Sequence, residues 1–239
     1  MALAVMRRMG TWRVGRSVVG LCAALLLIAA CESSPPDIVE LDLTLYELTD
    51  RELGRTYEVV SLFVNADDLD GLEDLDRLYL IHDDAELFWS TGSDSWLQQE
   101  SADGAWVGAP RLAMPNRAAF PAGTYRVVLV DVAGESAERQ LSLPRRRSAP
   151  PPARVTVDGN RVTVAGEGAH RLWLVGAAGL AGVAEVDGAG EVNVAELAPA
   201  GRAGGRFDIY VVTRAASHPS QAMIGPFDWG TASDPGVGN

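Results

Sequence analysis

The sequence contains no lysine, so all 20 of its basic residues are arginine. This absence excludes Schiff-base chemistry on a lysine and the lysine of a phosphate-binding P-loop. The formal net charge is −12 at pH 7. Because binding to a nucleic-acid backbone needs clustered cations, we expect no nucleic-acid partner.

Cysteine is also scarce: the two residues of this type, Cys22 and Cys31, both lie near the N-terminus. The remaining chain therefore has no disulfide framework and no thiolate metal site. His82, His170 and His218 share no metal-ligand spacing, and we expect each of them at a loop or a strand edge. No G-x-S-x-G motif follows Cys31. We therefore expect a protein that is not an enzyme and has no catalytic residues.

The N-terminal segment has the composition of an export signal. Residues 1–16 carry four arginines and no acid, and the apolar run Ser17–Ala30 follows. The 14 residues of this run would span about 21 Å as a helix at ~1.5 Å each, less than the ~30 Å hydrocarbon core of a bilayer. The sequence therefore predicts a cleaved signal helix within residues 1–30 rather than a permanent membrane span.

The apolar run ends at Ile28-Ala29-Ala30-Cys31, a branched apolar residue, two small residues and a cysteine. This order resembles the lipobox of bacterial lipoproteins, in which the cysteine thiol accepts a diacylglyceryl group and the signal is cleaved before the cysteine. The resemblance implies lipid attachment at Cys31, with acyl chains such as palmitate holding the protein on a membrane. An ordinary secretory signal with an unmodified cysteine is the alternative.

The residues after Cys31 bear on location. Position 32 is glutamate, whereas an aspartate there often means inner-membrane retention in bacterial lipoproteins. The resemblance thus implies the cell envelope, with the outer membrane favoured over the inner membrane. The lipidated tether 31–36 reaches at most about 20 Å at ~3.3 Å per residue, so we expect the first domain to lie close to the lipid.

Beyond the tether, short runs that alternate apolar and polar residues are separated by Gly, Pro and Asp turns. No segment there keeps a helical apolar period over several turns, and Gly71–Leu78 predicts one helical turn at most. Asp158-Gly159-Asn160 is the turn signal of a β-hairpin. The sequence therefore predicts a mainly β protein.

A Pro- and Arg-rich linker at residues 145–152 separates the two halves of this β region. FPAGTYRVVLV, which contains Tyr125, resembles the corner before a late strand in immunoglobulin-like and fibronectin type III sandwiches. That resemblance implies two consecutive antiparallel β-sandwiches, and it implies no activity. The predicted order is an acidic domain at 37–144, a second domain at 153–229 and a flexible tail at 230–239.

The first half is strongly acidic, with 19 Asp or Glu against three Arg between Asp37 and Asp103. Within it, Asp68, Asp70 and Asp74 have a spacing that resembles part of the calcium loops in EF-hand and dockerin modules. The first and last ligand positions of those loops are not matched. We therefore predict a solvated acidic loop and no cofactor, and Ca²⁺ held by the three aspartates is the alternative.

Trp89, Trp96 and Trp106 lie in one stretch among acids and amides, and exposed indole rings in such a setting stack on sugars. Burial in a sandwich core is nevertheless the favoured interpretation of these tryptophans, and sugar binding is the alternative. The leading hypothesis is a lipid-anchored envelope protein for adhesion, scaffolding or protein interaction. A carbohydrate-binding accessory lipoprotein is the second hypothesis. The implied partners are the membrane, through the anchor, and envelope proteins or glycans.

Overall fold

The computed structural model describes residues 34–101, 104–144, 148–177, 179–198, 205–218 and 220–230, without the side chains of 99–101. The predicted signal 1–30, the lipidation site Cys31, residues 145–147 of the predicted linker and residues 231–239 of the predicted tail lie outside the described residues. The chain divides into two units, Met1–Ser34 and Pro35–Asn239, and the described structure belongs almost wholly to the second.

Within the described residues the chain forms strands β1–β15 and three single 3₁₀ turns. The strands are β1 (Asp37–Asp50), β2 (Arg55–Asp67), β3 (Leu75–His82), β4 (Leu87–Gly92), β5 (Leu97–Ser101), β6 (Gly104–Ala113), β7 (Gly123–Asp131), β8 (Ser136–Leu143), β9 (Arg154–Asp158), β10 (Arg161–Ala165), β11 (Ala169–Gly176), β12 (Gly179–Asp187), β13 (Gly190–Asn193), β14 (Arg206–Arg214) and β15 (Gln221–Gly230). The 3₁₀ turns are Leu72–Asp74, Asp83–Ala85 and Val194–Glu196. The prediction of a mainly β protein is confirmed. None of the helical segments in the described part has the length and apolar character needed to cross a bilayer.

The strands are arranged in three sheets. The large sheet has the order β12-β11-β14-β15-β1-β2-β6-β5, and the two smaller sheets are β4-β3-β7-β8 and β13-β10-β9. Neighbouring strands are antiparallel except β1 and β15, which run parallel from Tyr46 opposite Gln221 to Asp50 opposite Gly225. Because β1 pairs with β2 on one side and β15 on the other, both halves of the chain contribute to one sheet. This parallel pair departs from the antiparallel pairing that the sequence predicted. The predicted domain limits, 37–144 and 153–229, stay a prediction.

One face of the large sheet packs against the two smaller sheets. In the first half, Leu62 of β2 shares a core with Leu80 of β3. In the second half, Leu172 of β11 shares a core with Val162 of β10. Each half therefore has the layered packing of a β-sandwich, as predicted.

On the opposite face of the large sheet, strands that are not neighbours in the sheet contact one another. Tyr46 of β1 meets Trp173 of β11 edge-on, with ring centroids 5.8 Å apart, although β15 and β14 lie between their strands. At the two ends of the sheet, Gly179 of β12 lies against the Leu97 side chain of β5. The sheet is therefore rolled, and its edge strands approach each other. A third apolar cluster fills part of the inside of the roll; its buried members are Tyr46, Leu48, Tyr57, Val59, Tyr210, Val212 and Met223.

The predicted corner residue of the first half lies deep in the structure. Tyr125 is fully buried, and its hydroxyl donates a hydrogen bond to the Pro121 carbonyl oxygen at 2.7 Å. Tyr125 therefore packs at the corner before β7, where the sequence predicted a corner tyrosine.

Candidate functional site

An open groove of about 370 Å³ lies on the inside of the rolled sheet. Its aromatic lining consists of Tyr46, Phe63, Trp106 and Trp173, which lie on β1, β2, β6 and β11. The first three residues come from the first half of the chain and Trp173 from the second. The groove therefore exists only because both halves contribute to one rolled sheet.

The alternation of side chains along each strand places the two indoles in the groove. Trp173 lies between Leu172 and Leu174, which are both fully buried in the core of the second half. Trp106 precedes Val107, which is fully buried in the core of the first half. Because successive residues of a strand point to opposite faces, burial of these neighbours directs Trp106 and Trp173 to the inside of the roll.

Polar side chains also line the groove: Asp42, Ser61 and Arg171. The Arg171 Nε donates to Glu185 Oε1 at 2.6 Å, across the β11–β12 pair. The charge-assisted hydrogen bond between Arg171 and Glu185 orients the guanidinium. Asp42 Oδ1 accepts a hydrogen bond from the Thr44 hydroxyl at 3.1 Å. The groove thus combines aromatic faces with held hydrogen-bonding groups.

The Tyr46 hydroxyl is neutral over the physiological range. Burial, together with the negative charge of Asp42, raises the pKa of Tyr46 to about 12. A phenol with that pKa keeps its proton at neutral pH and retains both a donor and an acceptor. Tyr46 therefore adds a neutral polar group to the aromatic lining.

The three aspartates of the predicted calcium loop lie close together. One carboxylate oxygen of each of Asp68, Asp70 and Asp74 falls within 4.8 Å of the other two. Partial desolvation, with the negative charges of Asp131, Asp68 and Asp70, raises the pKa of Asp74 above its ordinary value. The ionised carboxylates therefore repel one another, and a cation would relieve that repulsion. Whether this loop binds calcium stays a prediction.

The three predicted tryptophans do not form one surface. The Trp89 ring stacks on Phe120 with centroids 4.9 Å apart, and its indole N–H donates to the Ala113 carbonyl at 2.9 Å. Trp96 packs against the same core. Trp106 alone lines the groove, on the other face of the large sheet. Sequence reasoning missed Trp173, although its place between two leucines in a strand pattern was a usable signal.

Two of the three histidines are buried, so the expectation of loop or edge positions is wrong for them. His82 is 3% exposed, and its Nδ1 accepts the Ala85 N–H at 3.2 Å. His170 is 1% exposed, with its Nδ1 3.1 Å from the Thr213 hydroxyl oxygen. Each ring is held by a hydrogen-bond partner within the β structure.

No protein-family model matches the sequence, and no curated protein matches it either. Among solved structures, the chain is similar to dimeric latent PorU of Porphyromonas gingivalis, with 11% identity over 82% of this chain and 20% of PorU, and a TM-score of 0.32. It is also similar to the 47-kilodalton lipoprotein Tp47 of Treponema pallidum, with 12% identity over 82% of this chain and 52% of Tp47, and a TM-score of 0.34. The BSP domain of a biofilm-associated protein matches at 11% identity, covering 73% of this chain and 28% of that chain, with a TM-score of 0.26. The chain thus spans about half of Tp47 and less of the other two, and at these TM-scores no activity is carried over from them.

Proposed function

We propose that this chain is a lipid-anchored protein of the bacterial cell envelope, without enzymatic activity, whose β part serves adhesion, scaffolding or protein–protein contact. The observation that carries the proposal is the sequence Ile28-Ala29-Ala30-Cys31 at the end of an apolar run too short to span a bilayer. Acyl chains on the Cys31 sulfur and on its amino terminus would together hold the protein on a membrane stably.

The charge distribution supports a role that faces away from the lipid. The short tether 31–36 keeps the acidic first half near the bilayer, and the region Asp37–Asp103 holds 19 acids against three arginines. An anionic membrane surface repels such a region. The anchored β part therefore presents itself to other envelope components rather than lying flat on the membrane.

The anchor is tested with the full-length chain in a bacterial host. Mass spectrometry of the mature N-terminus should find a diacylglyceryl group on Cys31, and a palmitate analogue should label the protein. Cys31→Ala should abolish the label and the membrane association, because no other thiol follows the signal. Cys22→Ala is the matched control and should leave both unchanged. A mature protein with an unmodified Cys31 would overturn the proposal.

The choice of membrane is tested separately. Separation of inner and outer membranes on a density gradient should place the protein with the outer membrane. Glu32→Asp should move the protein toward the inner membrane, because this substitution introduces the aspartate that is associated with inner-membrane retention. If the parent protein is found with the inner membrane, the outer-membrane part of the proposal fails and the anchor itself is unaffected.

Carbohydrate binding is the second candidate function. The groove favours it, because aromatic rings and hydrogen-bonding side chains line the same concave surface. An envelope lipoprotein with such a groove would hold a glycan near the membrane surface.

A further inference from the structure

We propose that the groove inside the rolled sheet is the binding site for a neutral glycan, with pyranose rings held between Trp106 and Trp173. This inference rests on the second function proposed above and names its site. The proposed site is not the tryptophan-rich stretch of the first half but a groove that residues of both halves line.

The aromatic walls fit the faces of a pyranose ring. A pyranose presents C–H groups on its faces, and these pack against the electron-rich faces of indole rings. Trp106 and Trp173 are both half-buried, so each keeps part of its ring open to the groove. The edge-on contact with Tyr46 at 5.8 Å holds the Trp173 ring in place. The stacking surface is therefore formed before a ligand arrives, which lowers the entropic cost of binding.

The polar groups fit the rim of the same ring. Sugar hydroxyls both donate and accept hydrogen bonds. The Asp42 carboxylate accepts them, Arg171 donates them, and the Ser61 hydroxyl can do either. The Glu185 carboxylate accepts a hydrogen bond from the Arg171 Nε at 2.6 Å, which favours one orientation of the guanidinium. Such a set of fixed polar groups beside a stacking surface gives a sugar both affinity and orientation.

The charges of the groove favour a neutral ligand over an anionic one. The cation Arg171 is paired with Glu185, and Asp42 adds a second negative charge. A uronate or phosphate would therefore meet the Asp42 carboxylate and a cation that is already paired with Glu185. The overall net charge of −12 acts in the same direction.

A hydrocarbon chain fits the groove less well. An acyl chain would remove Asp42 and Arg171 from water without replacing their hydrogen bonds. A peptide that adds a strand needs an unpaired sheet edge, and the edge strands β5 and β12 line the groove through Leu97, Leu180 and Val183. A bound peptide is therefore the outcome that the library experiment below separates from sugar binding. The volume of about 370 Å³ lies in the range of small-ligand sites, roughly 300–1,000 Å³.

Binding is tested with the full-length lipoprotein in a detergent that carries no sugar. The probes are cellobiose, maltose, lactose and chitobiose as neutral disaccharides, and fragments of polygalacturonate as the acidic comparison. Calorimetry and quenching of tryptophan fluorescence should detect at least one neutral disaccharide and no polygalacturonate fragment.

Two groove variants and one control locate the site. Trp173→Ala removes a stacking face. Val183→Arg places a long side chain across the groove, from a position that is 42% exposed and directly opposite Trp173 on β12, so the cores are left intact. Both variants should raise the Kd about tenfold or more, a loss of about 1.4 kcal/mol. Phe88→Ala removes an aromatic ring that is 68% exposed on β4, outside the groove, and should leave the Kd unchanged.

The possible results separate this inference from the proposed anchor. Absence of binding to every neutral disaccharide, preference for polygalacturonate, or binding that survives Val183→Arg with an unchanged melting temperature would each overturn it. A peptide selected from a library that binds the parent and is lost in Val183→Arg, with no sugar bound, would also overturn it. Lipid labelling at Cys31 is measured on the same samples, so failure of the groove and failure of the anchor are distinguished.

Discussion

At the scale of single residues, the buried carboxylate of Asp50 is held by short local hydrogen bonds. Asp50 is 8% exposed, and its carboxylate accepts bonds from the Leu53 N–H at 2.9 Å and the Tyr57 hydroxyl at 2.8 Å. Burial pushes the pKa of Asp50 upward, but these hydrogen bonds outweigh it and lower the pKa below its ordinary value. The ionised carboxylate therefore stabilises the fold above its unfolded pKa, and this contribution is lost as the pH falls through the folded pKa.

Tyr57→Phe should lower the free energy of unfolding at pH 7 by about 1.5–3 kcal/mol, because it removes a hydrogen bond to a buried charge. The difference from the parent should shrink at acid pH, as the pH falls through the lowered folded-state pKa of Asp50. Urea denaturation at pH 7 and at acid pH measures it. Tyr79→Phe, at a half-exposed tyrosine of β3, is the control. An equal loss of stability at both pH values would contradict the role of the ionised carboxylate.

Asp74→Asn should raise the melting temperature at pH 7. The raised pKa of Asp74 means that its ionised form is disfavoured in the folded state, beside Asp131, Asp68 and Asp70. Stability should therefore fall as the pH rises through the folded pKa, and the neutral amide should remove that loss. Thermal scans from pH 3 to pH 7 should show parent and variant converging at low pH. A variant that melts below the parent at pH 7 would disprove the repulsion.

Calcium is tested on the same loop. We expect a chelator to change the melting temperature little, because exposed acidic loops are usually solvated without an ion. Scanning calorimetry with and without millimolar Ca²⁺ measures the effect. A stabilisation by Ca²⁺ that Asp70→Ala abolishes would contradict this expectation and favour the calcium alternative.

At the scale of elements, the strands and turns follow local sequence signals. The hairpin β9–β10 pairs Asp158 with Arg161 around Gly159, whose φ is 55°, as the Asp-Gly-Asn signal predicted. The 3₁₀ turn Leu72–Asp74 is the single helical turn expected from Gly71–Leu78. These features could be predicted because each depends on residues that are neighbours in the chain.

The close approach of β2 and β6 depends on a glycine that sequence reasoning did not single out. A Cβ at Gly108 would collide with the Leu62 carbonyl oxygen and the Phe63 backbone. Gly108→Val should therefore lower the free energy of unfolding by about 1–3 kcal/mol or more through overpacking. Gly230→Ala, at a glycine of β15 with open space around it, should have little effect in the same denaturation experiment. Equal stability of both variants would show that the strands can separate without loss.

At the scale of the whole molecule, the parallel pairing of β1 with β15 joins the two halves. The third apolar cluster contains Tyr57 from the first half and Tyr210 and Met223 from the second. Separation of the halves would expose these buried side chains to water. The predicted picture of two consecutive sandwiches describes the layers of each half and does not include their common sheet.

The full chain should therefore unfold in one cooperative transition, with equal calorimetric and van't Hoff enthalpies. A variant that ends at Pro144 leaves the β1 edge unpaired and should melt well below the parent or aggregate. A variant that ends at Gly230 keeps β15 and should melt like the parent. Two separate transitions of the full chain, or a first half as stable alone, would contradict the common sheet.

The amino-acid sequence by itself determined the β character, the hairpin, the buried corner tyrosine and the motif for a lipid anchor. Alternation, turn residues and short motifs act between near neighbours, so they can be read without the fold. Only the tertiary structure decided the groove, because Trp106 and Trp173 line it from the two halves of a sheet that the pairing of β1 with β15 joins. That pairing joins strands from opposite ends of the β region, and its register depends on the packing of whole faces rather than on any local pattern.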